Sequence, residues 1–215
     1  MITSYGVSGP NVAKARASLL FKELAFDEVD VDLVRKSQEF LFLTPIGRVP
    51  LIYDDGMIVH DSLFIAEYLD RRFPKTMPLL PEVLDKRVKT YTTVALLERL
   101  FTISAPLVAK RLNFFDSVDP PTAACSGYYL INDAMAGELE FRQNLYSLAT
   151  LLDDGDHVTR PAAPYAEFAV FAFLTLLTQL GVCTDPLTDW MLRPTTAFPF
   201  DKMFAADQDS VRTKI

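Results

Sequence analysis

Apolar positions in the first 75 residues switch between strand-like alternation and helical spacing, whereas beyond residue 83 the spacing is helical throughout. Residues 2–5 read as a short strand, and Gly6 to Pro10 as a turn built from glycine, serine and proline. Val12, Ala15, Leu19, Leu20 and Leu24 keep one helical stripe, which predicts a helix over about residues 11–25. From 28 to 33 the chain alternates, with Val29, Val31 and Leu33 on one face and Asp30 and Asp32 on the other, the pattern of a half-exposed strand. Residues 34–43 predict a helix. Strands at 49–53 and 57–60 predict a hairpin through Asp54-Asp55-Gly56, and Ile65, Leu69 and Phe73 mark the face of a helix opening on Asp61-Ser62. The element order is βαβ followed by ββα.

Residues 74–81 hold three prolines and no periodic pattern, so they read as a linker. The domains expected are 1–75, a linker over 76–83, and an all-helical part over 84–215. Long helices are expected over 85–115, with a bend at Pro106, and over 122–152, with a polar, proline-rich loop at 153–164. The run from Tyr165 to Leu180 is almost wholly apolar with Glu167 its only charge. It is shorter than the roughly 20 apolar residues a membrane span needs, and reads as a buried central helix stopped by Gly181.

Half the residues are hydrophobic, enough for a sizeable core, and 21 basic against 28 acidic residues give a net charge of −7. That balance argues against nucleic-acid binding and against a polybasic membrane anchor. Cys125 and Cys183 lie far apart and form no CxxC, as expected of isolated thiols in a reducing cytoplasm. His60 and His157 have no Cys or His neighbours at ligand spacing, so no metal site is expected. The start, MITSYGVSG, has no basic region followed by an apolar run, and no secretory signal is expected.

The chemistry concentrates in the stretch TPIGRVPLIYDDGMIVHDSLFIAEYL, residues 44–69. Pro50 sits at the start of an apolar strand, where it cannot donate a ladder hydrogen bond, so the backbone there is free to hold something else. Asp61 and Ser62 open the next helix. Both are favoured helix caps, and an amide-bearing helix N-terminus is equally a site for a carboxylate.

A βαβ–ββα domain, a short linker and an all-helical domain, with Val-Pro leading the hairpin and an acidic-Ser pair opening the third helix, resemble the glutathione transferase family. The resemblance covers nearly the whole chain and is carried by residues 1–80. It implies an α/β thioredoxin-like N-terminal domain and an all-α C-terminal domain. It also implies a cis bond at Val49–Pro50, pairing of the Val49 backbone with the cysteinyl part of glutathione, and Ser62 and Asp61 on the α-carboxylate and α-ammonium of the γ-glutamyl end. Arg48 falls where the family places a Lys or Gln for the glycine carboxylate, a task an arginine suits, with Arg35 as a further candidate. The usual Ser/Thr-x-x-Asp capping box of the helical domain reads Pro164-Tyr165-Ala166-Glu167 here, so the acid is kept and the capping hydroxyl is lost.

A free thiol of this type has a pKa near 8.5, so a protein that uses it at neutral pH must stabilise the thiolate. Lowering the pKa by ~2 units requires about 2.7 kcal/mol. A helix dipole supplies roughly 0.3–1 kcal/mol, ~2 at best, so hydrogen bonds to the charged sulfur, about 1.5–3 kcal/mol each, must supply the rest. The turn between first strand and first helix reads SGPNVAK and holds no cysteine, unlike the branches of the family that form mixed disulfides. It is similar to the Asn-containing turn of the bacterial Nu class, of the yeast nitrogen-regulation prion protein and of bacterial β-etherases. That likeness implies Asn11 and Ser8 as thiol contacts, which orient and stabilise the sulfur without acting as bases. Asn11 as a plain helix cap, and Tyr5 as the thiol's hydroxyl donor, are the alternatives.

Phe101, Phe114, Phe115 and Tyr128 are candidates for an apolar wall that takes an aromatic electrophile. The reading is thus a cytoplasmic glutathione-dependent transferase or lyase, with glutathione as cosubstrate, working as a homodimer packed through the third and fourth helices. A glutathione-dependent disulfide reductase and a non-catalytic binding or regulatory protein are the alternatives.

Overall fold

The computed structural model describes residues 1–7, 9–111, 134–153, 164–179, 187, 198, 200–204 and 212–214. Strand β1 (Ile2–Gly6), helix α1 (Pro10–Phe21) and strand β2 (Phe26–Asp30) form a βαβ unit, with β1 and β2 parallel and Ile2 opposite Phe26. Helix α2 (Gln38–Leu43) leads into the hairpin β3 (Leu51–Asp54) and β4 (Met57–His60), and helix α3 (Ser62–Arg72) closes the unit. The hairpin turns on Asp55 and Gly56, both with positive φ (49° and 91°), which is the two-residue turn whose twist matches paired strands. Helices α4 (Leu84–Arg111), α5 (Ala134–Asp153) and α6 (Tyr165–Gln179) and a short 3-10 turn, Phe200–Met203, follow. Residues 112–133, 154–163 and 180–186, which carry Phe114, Phe115, Tyr128, Cys125, His157, Cys183 and Gly181, lie outside the described residues.

Where the structure departs from the sequence expectations, local hydrogen bonds explain it. Strand β2 begins earlier than expected and ends at Asp30: the Val31 amide makes the last ladder bond, to the Gly6 carbonyl (2.8 Å), and beyond it Asp32 Oδ1 turns the chain by accepting from the amides of Val34 and Arg35 (2.9 Å each). That turn also removes residues 34–37 from the expected helix. Helix α2 starts only where Ser37 Oγ accepts from the Phe40 amide (3.1 Å). Helix α1 ends at Phe21, and Glu23 takes a positive φ of 54° just beyond it. A fifth strand, β5 (Arg212–Lys214), pairs parallel with β2 and gives the sheet order β4-β3-β1-β2-β5. Only helix was expected after residue 83. Three residues that pair through their backbone at a sheet edge need no hydrophobic period of their own.

The sheet packs on both faces. On one, Val31, Phe40 and Leu51 form a small core with Tyr5, Val49 and Ile58 under α2. On the other, α1 and α3 join α4, α5 and α6 in one large core that includes Ile2, Leu19, Ile65, Leu100, Leu148 and Phe168. Helix α1 is therefore enclosed, and its Lys14 and Arg16 are buried, as is Lys22 just past its end. Each is paired. Arg16 bonds Glu28 and donates from Nε to the Lys202 carbonyl (3.0 Å). Lys22 Nζ donates to Asp70 Oδ1 (2.8 Å) and to the Met77 carbonyl (3.0 Å). Asp70 also accepts from the amides of Leu79 (2.9 Å) and Leu80 (3.0 Å), so the proline-rich segment between α3 and α4 is fastened to α1 and α3. Removing one member of such a buried pair costs about 3–5 kcal/mol, because the other charge stays behind unpaired.

Among the described residues no helix is long and apolar enough to cross a membrane, and no group of three or more His, Cys, Asp or Glu is placed to hold a metal ion.

Candidate functional site

The strand register brings three separate segments to one end of the sheet. Tyr5 lies opposite Leu51, so the end of β1 meets the start of β3. His60 also lies opposite Leu51, so the end of β4 meets it from the other side. The segments just beyond these ends are the turn into α1, the Val49–Pro50 peptide and the Asp61-Ser62 start of α3. They form a row at the rim, and the helical half packs against its α1 end through α4 and α6.

Gly6 sets the height of the first segment. A Cβ there would stand 2.5 Å from Val12 Cγ1, so only glycine lets α1 turn back this closely onto the strand end. Helix α1 then starts without a side-chain cap. Gly9 is the N-cap and makes no side-chain hydrogen bond, Pro10 follows as the first helical residue, and the first turn carries no acid. The Ala13 amide bonds the Gly9 carbonyl (2.9 Å) and proline has no N–H, so the amides of Asn11 and Val12 are left without helical partners. Asn11 itself is the second residue of the helix and not its cap, which removes the capping alternative. Its side chain is half-buried in a crevice with Lys14, Glu98, Phe101, Ala169 and Phe173, where α1 meets α4 and α6. Lys14 Nζ pairs with Glu98 Oε1 at 2.5 Å in that crevice. Ser8 lies outside the described residues.

The second segment carries a cis peptide at Val49–Pro50, as the family resemblance leads one to expect. Val49 is half-buried and Arg48 exposed; Arg35 is exposed as well. In the third, Asp61 is the N-cap of α3 and its Oδ1 accepts from the Leu63 amide at 2.8 Å. The capping reading is therefore correct for Asp61, and one carboxylate oxygen remains outside that bond. Asp61 also has φ 68° and ψ 135°, a sparsely populated conformation of the kind that costs of order 1–3 kcal/mol and collects at binding sites. Ser62, the first residue of α3, is only 3% exposed.

Tyr5 does not belong to this row. It points to the opposite face of the sheet, with its ring 6.3 Å from that of Phe40. Burial, and then the neighbouring Tyr53, hold its pKa above the ordinary tyrosine value. A larger cavity of about 270 Å³ lies on the β2 side of the same turn, against Arg16, Glu28, Val29 and Met203, and its polar lining includes Ser4, Asp30, Gln179 and the mutually bonded Arg16–Glu28 pair.

One residue of the rim escapes the sequence reading. Tyr165 opens α6, is fully buried, and its amide donates to the Leu79 carbonyl at 3.1 Å. Its hydroxyl is enclosed without a hydrogen-bond partner among the described residues, and burial holds its pKa well above the ordinary tyrosine value. The available signal was a phenol in an otherwise apolar helix start, in the place where the capping hydroxyl is lost.

Residues 5–78 match the family model described as glutathione S-transferase, N-terminal domain. The "Probable glutathione transferase" of Aplysia californica is 40% identical over 65 residues, covering 30% of this chain and 71% of that one. "Glutathione S-transferase hmp2" of Hypomyces subiculosus is 36% identical over 88 residues, 40% of this chain and 41% of that one. The chain spans only about two fifths of the length of the curated relatives first matched, at 41%, 36% and 38%. Among solved structures, beta-etherase LigF from a Sphingobium strain shares the fold over 94% of this chain and 98% of its own, with a TM-score of 0.69 and 20% identity.

Proposed function

The chain belongs to the glutathione transferase superfamily, and on that premise we propose that it is a glutathione-dependent transferase or lyase. The observation that carries this reading is the convergence at one sheet rim of an uncapped helix start, a cis Val-Pro peptide and the Asp61-Ser62 start of a second helix. Ser62 and the α3 amides take the α-carboxylate of glutathione, the free oxygen of Asp61 takes its α-ammonium, the Val49 backbone pairs with the cysteinyl unit, and Arg48 takes the glycine carboxylate. The sulfur then lies at the start of α1. The amides of Asn11 and Val12, the Asn11 side chain and Ser8 stabilise it as thiolate. The thiol proton goes to solvent, since neither Asn nor Ser is a base at neutral pH. The thiolate attacks an electrophilic carbon, the new C–S bond forms, and the leaving group departs with its bonding electrons. Phe101 and Phe173, beside Asn11, offer an apolar wall suited to an aromatic substrate. The likeness to LigF, named as a beta-etherase, favours an aryl ether whose leaving group is a phenolate.

The test is calorimetric titration of glutathione into the wild type and Ser62→Ala, followed by product analysis with aryl halides, β-aryl ethers and glutathione disulfides. Micromolar to low-millimolar binding, lost in Ser62→Ala, supports the site. Absence of binding to the wild type sinks the enzymatic reading. Binding without turnover of any class moves the protein to a regulatory role.

The protein works as a homodimer in this reading. Phe64 on α3, with Leu84 and Val88 on α4, are exposed by 65%, 71% and 51%, an apolar set on the two helices expected to pair. Sedimentation equilibrium at micromolar concentration returns twice the chain mass if so, and a single-chain mass rejects it.

A further inference from the structure

We propose that Lys14 is a further catalytic residue of this site: its ammonium donates to the oxygen of the departing group, which suits the site to aryl ethers. The inference rests on the transferase or lyase reading given above, and deepens it by naming the residue that serves the leaving group.

The helix sets the position of Lys14. It follows Asn11 by three residues on α1, so the two side chains share one face. Side chains lean toward the start of their helix, which brings the ammonium back over Asn11. A sulfur at an attack distance of about 3–3.5 Å from its carbon has the departing atom on the far side, one bond further on. Three residues of helix rise about 4.5 Å, a similar span. A thiolate held at Asn11 therefore has its leaving group beside Lys14.

The burial of Lys14 points the same way. Its side chain is 4% exposed, against 44% for its partner Glu98. An ammonium carries three N–H donors, and among the described residues Glu98 is the single acceptor that Lys14 has. The other donors lie almost closed to bulk water, where polar groups ordinarily find partners. The crevice beside them, between Asn11, Leu97, Phe101 and Phe173, encloses about 10 Å³. That is room for one water-sized group and not for a ring. An ether oxygen fits it, with the aryl ring at the mouth against Phe101.

The sulfur's electron pair forms the C–S bond, and the pair of the C–O bond leaves on the aryl oxygen. Lys14 gives that oxygen a proton and regains one from water, so glutathione and the ether yield a thioether and a phenol. A phenol and an alkylammonium have ordinary pKa values of about 10 and 10.4, so such a transfer is close to even. A departing chloride is too weak a base to take the proton.

The test is Lys14→Met in the full chain. It compares kcat/KM for β-aryl ethers whose leaving groups run from p-nitrophenol to unsubstituted phenol, and for an activated aryl chloride. The half-exposed Glu98 is solvated when its partner is removed. The expected loss is about a hundredfold on the unsubstituted phenol ether, the scale of a placed acid. It is about threefold or less on the p-nitrophenol ether and about twofold or less on the chloride, with glutathione affinity by calorimetry unchanged. A uniform loss across the series, or none, overturns the proposal, because an ion pair that only ties α1 to α4 does not distinguish leaving groups. Lys14→Gln repeats the series where the methionine variant does not fold, and failure of both to fold overturns the proposal too. A wild type that binds glutathione and converts the chloride but no ether overturns it and leaves the transferase reading standing. A wild type that binds no glutathione overturns both.

Discussion

Two helices begin at the same sheet rim, and they begin in opposite ways. Helix α1 opens on Gly9 and Pro10 with no side-chain cap and no acid in its first turn. Helix α3 opens on an aspartate that caps its own Leu63 amide and holds a positive φ to do so. A helix start carries roughly half a positive charge, and a protein that needs only stability fills it with a carboxylate or hydroxyl. The contrast separates two tasks. At α3 the protein supplies one negative charge of its own and leaves Ser62 beside it, which suits a zwitterion with an ammonium and a carboxylate. At α1 it supplies none and leaves the Asn11 and Val12 amides open, which suits a lone anion such as a thiolate.

Asn11→Asp attacks that contrast most directly. It puts a carboxylate into the first turn of α1, where the dipole welcomes it by about 0.3–1 kcal/mol, so the thermal midpoint should hold or rise. The same charge opposes a thiolate by roughly 2–4 kcal/mol at a partly screened site. Turnover with glutathione should then fall about thirtyfold to several hundredfold by stopped-flow or steady-state assay. Retained activity would show that the sulfur does not sit there.

Asp61→Asn sharpens the other side. Asparagine tolerates positive φ and can still accept from Leu63, so stability should change little. The charge facing the ammonium is lost, and glutathione affinity should fall about three- to fivefold, the scale of an exposed pair; an unchanged titration would leave Asp61 as a cap alone. Tyr5→Phe should do nothing to glutathione turnover, because its ring belongs to the core under α2. A tenfold drop would move the thiol contact from α1 to β1.

The sequence displayed the rim better than the packing behind it. The hairpin was legible because Asp-Asp-Gly supplies the two positive φ values that its turn requires. The start of α3 was legible because Asp61 is both a cap and a neighbour of the hairpin. The extent of β2 was not: Leu33 continues its alternation after the backbone has already turned at Asp32. Helix α1 misled in another way. The stripe of Val12, Ala15 and Leu19 puts Lys14 on the far side of the helix, yet Lys14 is buried too, paired with Glu98 of α4, which local spacing does not register. Tyr165 was read only as part of an apolar helix, since spacing does not register that its hydroxyl is enclosed without a partner among the described residues.

The Asp70 junction has a consequence for recombining members of this superfamily. Its carboxylate simultaneously holds Lys22 at the end of α1 and the backbone of Leu79 and Leu80 just ahead of α4. A chimera spliced between Arg72 and Met77 would inherit half of this clasp from each parent. Lys22, Asp70 and the segment from Met77 to Leu80 form one transplantable module, and a crossover placed after Leu80 carries it intact.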